Sequence, residues 1–220
     1  MGKDTEEMFH GKFITFEGGE GVGKTTQIQL CEKYLKTKNI PCLVTREPGG
    51  TKLGEQVRDL LLNKAETAID IMPELLLMFA ARAQHLQEVI YPALKANQWV
   101  LCDRFTDASY AYQGGGRGVP FASIRRLEGI VQDGFKPDLT ILLSGDIEAG
   151  MRRVSRRGEK DRFELEKVEF FERVRHSYLK LAKAHPERFS VVDADQTIDK
   201  VALAIQAAMK QRLPELIGLN

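Results

Sequence analysis

The stretch Gly18-Gly19-Glu20-Gly21-Val22-Gly23-Lys24-Thr25 constrains this chain more than any other. A glycine, four residues and then Gly-Lys-Thr is the phosphate-binding loop pattern, and it carries meaning only between a strand and a helix. Here Phe13-Ile14-Thr15-Phe16-Glu17 reads as a buried strand before it, and Thr25 to Lys36 as a helix after it. Glycines let successive backbone N–H groups converge on a polyphosphate, and the N-terminus of the following helix adds favourable partial charge. Lys24 is expected to reach the β- and γ-phosphates, and the Thr25 hydroxyl to ligate Mg²⁺.

Four more apolar runs follow at intervals filled by helical patterns. Cys42–Thr45, Trp99–Cys102, Leu139–Leu143 and Phe189–Val192 read as buried strands. Helices are expected over Leu53–Leu62, Pro73–Tyr91, Phe121–Gln132 and Ile147–Val154, then from about Val168 to Pro186 and again after Thr197. Strands alternating with helices predict a three-layer α/β fold, a five-stranded parallel sheet flanked by helices. At 220 residues the chain fits one such domain, 1–220, with an adequate core. With 32 basic and 31 acidic residues, no global charge favours nucleic acid or an anionic membrane. The three cysteines, Cys31, Cys42 and Cys102, form no zinc-type pair and read as core thiols in a reducing compartment. No signal-like or membrane-spanning run is present, so a cytoplasmic location is expected.

Ligands of open parallel sheets bind at the C-terminal ends of the strands. The second strand delivers Thr45-Arg46-Glu47-Pro48-Gly49-Gly50-Thr51 there, either as a shaped binding turn or as a turn alone. Arg58 reads by default as a solvated arginine. Arg82 falls on the apolar stripe of its helix, three residues after Phe79 and four after Met78. A buried arginine needs a partner, so it is either an internal ion pair or a multi-donor group facing the edge of a base packed by Phe79 or Met78. The third strand ends at Asp103, placed to hold Mg²⁺ directly or through water. Arg104 follows where hydrolysing motors carry a glutamate, and suits a second phosphate. Gly114-Gly115-Gly116-Arg117-Gly118 reads as too flexible for regular structure, either closing over a ligand or forming only a loop. The basic run Arg152 to Arg162 straddles Gly158, lacks aromatics and is followed by Glu164, Glu166 and Glu169. A mobile lid at about 152–162, carrying arginines onto a triphosphate, suits it better than a solvated helix face or a nucleic-acid patch.

From Phe13 to about Met209 the chain resembles the thymidylate kinase family, bacterial type, among the P-loop nucleoside monophosphate kinases. Four blocks carry the likeness: the P-loop with its internal Glu20; Thr45 to Thr51; Asp103-Arg104-Phe105 with Tyr112-Gln113-Gly114-Gly115-Gly116-Arg117-Gly118; and the basic run ending Asp161-Arg162-Phe163-Glu164. The resemblance implies ATP and Mg²⁺, with dTMP as the acceptor and a homodimer. It places ATP on Gly18, Gly19, Glu20, Gly21, Val22, Gly23, Lys24, Thr25 and Thr26, with Arg153 and Arg157. Glu20 would lie near the deoxyribose 3′-hydroxyl, and Arg46, Arg58 and Arg104 around the acceptor phosphate. Arg82 and Gln113 would bind the thymine edge, near Pro48, Met78, Phe79, Ser109 and Tyr112. Lys24, Arg104, Arg157 and Glu20 would be catalytic, with Thr25 and Asp103 at the metal. The chain has Met78 where the family usually stacks a phenylalanine on the base, and Ser144 where it often has an aspartate. A guanine-type switch is disfavoured because Asn63-Lys64-Ala65-Glu66 ends in the wrong residue, and a motor because Arg104 follows Asp103.

Overall fold

Strand β1 (Phe13–Gly18) has every residue buried, which only a central strand covered on both faces allows. The computed structural model describes residues 11–62, 69–156, 161–213 and 216. Its remaining strands are β2 (Cys42–Arg46), β3 (Trp99–Asp103), β4 (Leu139–Ser144) and β5 (Phe189–Asp193), all parallel in the order β2-β3-β1-β4-β5. Alternation along β1 sorts the two layers. Ile14 and Phe16 pack with Ile28, Cys31 and Leu35 of α1 (Lys24–Thr37) and with Val201, Ile205 and Met209 of α9 (Ile198–Arg212). Phe13 packs on the opposite face with Val100, Cys102, Phe105 and Leu86. Full burial of such a side chain contributes roughly 1.5–3 kcal/mol. No helix among the described residues is long and apolar enough to cross a membrane.

The other helices are α2 (Lys52–Leu62), α3 (Ile71–His85), α4 (Tyr91–Lys95), α5 (Thr106–Ser109), α6 (Phe121–Gln132), α7 (Ile147–Ser155) and α8 (Val168–Ala184). Three expectations are corrected. Strand β2 is half-buried, with Val44 exposed, because it is a sheet edge. The helix expected from Pro73 to Tyr91 begins at Ile71 and widens into a π-helical turn over Leu86–Ile90 before α4. Pro92 has no N–H, and the wider turn upstream accommodates its ring against the preceding carbonyls.

The glycine run is not irregular: Tyr110–Gly116 is π-helical. Its glycines serve contact rather than freedom. A Cβ on Gly115 would lie 1.9 Å from Ser177 Oγ, and one on Gly116 would lie 2.4 Å from Phe170 Cε2, so α8 packs directly on this backbone. In the basic run, α7 carries Arg152 and Arg153, whereas Arg157 and the expected hinge at Gly158 lie outside the described residues. So does Asn63 to Glu66.

Candidate active site at the strand ends

Between β1 and α1 the loop turns on positive φ at Gly18 (137°), Gly21 (67°) and Gly23 (93°). L side chains rarely adopt that region. Space is short as well, since a Cβ on Gly21 would lie 2.2 Å from Gly150 O of α7. Val22 anchors the loop in the core, while Thr25 and Thr26 stand exposed on the first turn of α1. Lys24 is buried and curls back, with Nζ donating to Gly19 O at 2.9 Å and Gly18 O at 3.4 Å. Burial, and then the Arg104 charge, hold its ammonium below the usual lysine range. Arg153 Nη1 donates to Gly21 O at 3.0 Å, which brings the start of the basic run onto the loop.

Arg104 ties this loop to the rest of the site. It is a non-glycine residue at φ 70°, a conformation that costs of order 1–3 kcal/mol and persists only where surrounding contacts hold it. Its Nη1 donates to Gly18 O at 2.8 Å, its Nη2 donates to Glu20 Oε1 at 2.5 Å, and its Cζ lies 4.6 Å from the Tyr112 ring centroid. Tyr112 donates to the same Glu20 oxygen at 2.8 Å. Beneath them, Glu17 accepts from Tyr178 OH at 2.6 Å and from Phe105 N at 2.7 Å. Burial, and then Asp107, push the Glu17 carboxyl up to about 8, with the Tyr178 hydrogen bond opposing.

A cavity of about 600 Å³, counted with its open mouth, lies beside this knot. Volumes of this order hold a nucleotide-sized ligand. Glu20 and Arg104 line it, as do Pro48, Arg58 of α2, Met78 and Arg82 of α3, Ser109 of α5, and Tyr112 and Gln113 of the π-helical stretch. Phe79 does not: it is 2 % exposed and lies behind Arg82, whose Cζ is 4.6 Å from its ring. One residue is about 100° of helix, and that rotation puts Met78 on the cavity instead. Arg46 is also elsewhere, exposed and paired with Glu55 at 2.8 Å in an adjoining groove that it lines with Thr25, Arg58 and Asp103. Arg58 borders both spaces, with Nη1 on Pro48 O at 2.9 Å.

Asp103 Oδ1 is buried with no hydrogen-bond partner among the described residues. Such an oxygen needs a ligand. Asp103 shares its groove with Thr25, a donor set suited to a hard cation completed by water and phosphate. No group of three metal-type side chains exists among the described residues, so a cage made wholly by protein is not built here.

Sequence reasoning left several residues without a role. Glu47 accepts from Arg82 Nε at 2.7 Å, His85 Nδ1 lies 3.0 Å from its other oxygen, and Thr45 Oγ1 lies 2.7 Å from His85 Nε2. Arg82 Nη1 and Nη2 also reach Ser109 Oγ, each at 3.2 Å. The helical spacing of Arg82 and His85 was the available signal. Phe105 and Phe163 stood only inside the blocks of family likeness, and Glu74 and Tyr178 carried no site signal, because their places depend on long-range packing.

Comparison with known proteins agrees across nearly the whole chain. The family model for thymidylate kinase matches residues 16–205. The thymidylate kinase of Chromohalobacter salexigens is 53% identical over 208 residues, covering 94% of this chain and 98% of that one. That of Hahella chejuensis is 52% identical over 206 residues, covering 94% and 99%. The crystal structure of thymidylate kinase from Ehrlichia chaffeensis superposes with a TM-score of 0.74 at 36% identity, covering 90% of this chain and 98% of that chain. With that match, a phosphate-binding loop and an arginine-floored cavity on one five-stranded parallel sheet, the chain belongs to the thymidylate kinase family.

Proposed function

We propose that the loop Gly18–Thr25 holds the triphosphate of ATP and that the cavity over Arg82 holds dTMP, as two halves of one site. The chain is an ATP-dependent thymidylate kinase, phosphorylating dTMP to dTDP and releasing ADP. One observation carries the division of the site: Glu20 and Arg104 line the cavity while Arg104 is hydrogen-bonded to Gly18 O and Glu20 of the loop. The two substrates therefore meet at a shared pair of side chains.

The step is an in-line displacement. A lone pair on a dTMP phosphate oxygen forms the new bond to the γ-phosphorus, and the bond to the β–γ bridging oxygen breaks, leaving that electron pair on ADP. The acceptor is already an anion, so no strong general base is needed. Catalysis comes from positioning and charge balance. Lys24 turns from the loop carbonyls to the β- and γ-phosphates. Arg104, with Arg58 and Arg46 at the groove, receives the acceptor phosphate, and Glu20 meets the deoxyribose 3′-hydroxyl. Arg82 and Gln113 read the thymine edge beside Ser109, Tyr112 and Pro48, with Met78 on its face. Thr25 and Asp103 hold Mg²⁺, which when bound neutralises phosphate charge. The segment at about 152–162 is the lid of a single domain 1–220, with Arg153 and Arg157 its arginines toward ATP.

The free thiols Cys31, Cys42 and Cys102 suit a reducing compartment, supporting a cytoplasmic enzyme. Leu60 on α2 and Ile71, Met72 and Leu76 on α3 are exposed large apolar side chains, as is Ile130 on α6, which packs on α3. This surface supports a homodimer, which sedimentation equilibrium tests. The activity is tested by coupled ADP release with ATP, Mg²⁺ and a panel of nucleoside monophosphates. Preferred turnover of dTMP is expected; equal turnover of all acceptors, or ATP hydrolysis without an acceptor, contradicts the reading.

A further inference from the structure

The Gln113 amide presents two ends of opposite polarity, an oxygen that accepts and a nitrogen that donates. It is 1 % exposed and lines the cavity. Its Nε2 donates to Glu74 Oε1 at 2.8 Å. Glu74 is itself 1 % exposed on α3, and its other oxygen accepts from Arg162 Nη2 at 2.6 Å and lies 3.6 Å from Arg117 Nε. A carboxylate whose other oxygen already takes guanidinium donors acts as an acceptor and meets the nitrogen end of an amide. Turning the amide over would set two acceptors against each other in a buried place, which is costly. The end left for the cavity is Oε1, which accepts no hydrogen bond among the described residues.

We propose that Glu74 is a positioning residue that determines base specificity, holding Gln113 so that an acceptor faces N3 of the base. The inference rests on the reading that dTMP occupies this cavity. Arg82 can only donate, so the cavity offers a donor beside an acceptor. Thymine answers with O4 as acceptor and N3–H as donor. Cytosine reverses both, with an amino group at C4 and a bare N3. Specificity for the keto base thus begins outside the base contacts, at a carboxylate flanked by Arg162 and Arg117. Neither arginine need touch the base.

The test is steady-state kinetics of the full-length enzyme and Glu74→Gln on two acceptors. One is dTMP. The other is the 5′-monophosphate of 5-methyl-2-pyrimidinone deoxyriboside, which keeps the methyl group but has no group at C4 and an unprotonated N3. Wild type should prefer dTMP. The Glu74→Gln substitution, whose neutral amide lets Gln113 turn over, should lower that preference by about tenfold, one hydrogen bond, acting on KM rather than kcat. An unchanged preference overturns the proposal. Gln113→Ala separates the two possible failures. A wild-type preference there removes the base from Gln113, and the underlying reading falls with the proposal; a collapsed preference there, beside an unchanged Glu74→Gln, removes Glu74 alone. Should Glu74→Gln not fold, the wild-type Gln113 side-chain amide, identified in the ¹⁵N spectrum by its loss in Gln113→Ala, decides the matter. Protected amide protons whose nitrogen signal scarcely moves on adding dTMP support the proposal. Rapid exchange, or a large shift on binding, overturns it.

Discussion

Arg82 Nε donates to Glu47 Oε2 at 2.7 Å, and the two side chains are 2 % and 4 % exposed, so a buried ion pair lies at the wall of the cavity. The pair is extended by His85 and Thr45 on one side and by Ser109 on the other, a chain reaching from β2 through α3 to α5. Buried ion pairs are poor guides to net stability, since desolvation cancels much of the attraction. Their clearer effect here is geometric. Every bond to Glu47, Ser109 and Phe105 O removes a rotamer from Arg82, and the guanidinium is fixed before substrate arrives.

Removing one partner exposes the cost that the pair conceals. Glu47→Ala leaves Arg82 buried without its carboxylate, a loss of about 3–5 kcal/mol. For a domain of this size that corresponds to a fall in Tm of roughly 6–20 °C. Differential scanning calorimetry reads it directly, and a shift below about 2 °C would contradict the assignment.

Glu17 makes stability depend on pH. Its carboxyl is raised from 4.5 to about 8 by burial and by Asp107. A group raised on folding stabilises the fold fully below its unfolded pKa, and that contribution is lost as pH rises through the folded value. Urea unfolding should therefore show stability falling between about pH 5 and about pH 8, with a shallower fall in Glu17→Gln. Equal slopes in the two proteins would dismiss the shift.

The glycine run should resist even one methyl group. Gly115→Ala places a Cβ 1.9 Å from Ser177 Oγ, and overpacking of this kind costs about 1–3 kcal/mol. Ser177→Gly in the same chain should restore part of the loss. Denaturant titration of the single and double variants checks both; full stability of the single variant would mean that α8 does not rest on this backbone.

Asp103→Asn tests the metal. The orphaned Oδ1 should become a weaker ligand, raising the Mg²⁺ concentration for half-maximal activity about 10–100-fold with little change in KM for dTMP. An unaltered Mg²⁺ titration would place the ion elsewhere.

The parallel sheet and the phosphate-binding loop were legible because their signals are local. Phe13 to Thr25 states a strand, a turn and a helix in order, and the five apolar runs became the five strands. What failed to read depended on distant partners. The apolar stripe from Pro73 to Tyr91 gives no sign of the π-helical turn at Leu86–Ile90, and Gly114 to Gly116 look flexible until Phe121, Ser177 and Phe170 are seen against them. In the site, the arginines were conspicuous by type and position, yet their counter-charges were not. Glu47 precedes Arg82 by 35 residues, and Glu74 meets an arginine 88 residues away. Met78 and Phe79 could be separated only by helix phase, which a sequence fixes no better than its helix boundaries.

The most direct measurement of the two-substrate site is a crystal structure of the full chain with dTMP. The base is expected in the cavity against Met78 and Phe105, its 4-oxygen within hydrogen-bond distance of Arg82 and its N3 facing Gln113 Oε1, with the phosphate toward Arg104. A nucleotide seated instead in the groove of Thr25, Arg46 and Asp103, with the cavity beside Arg82 left to solvent, would contradict it.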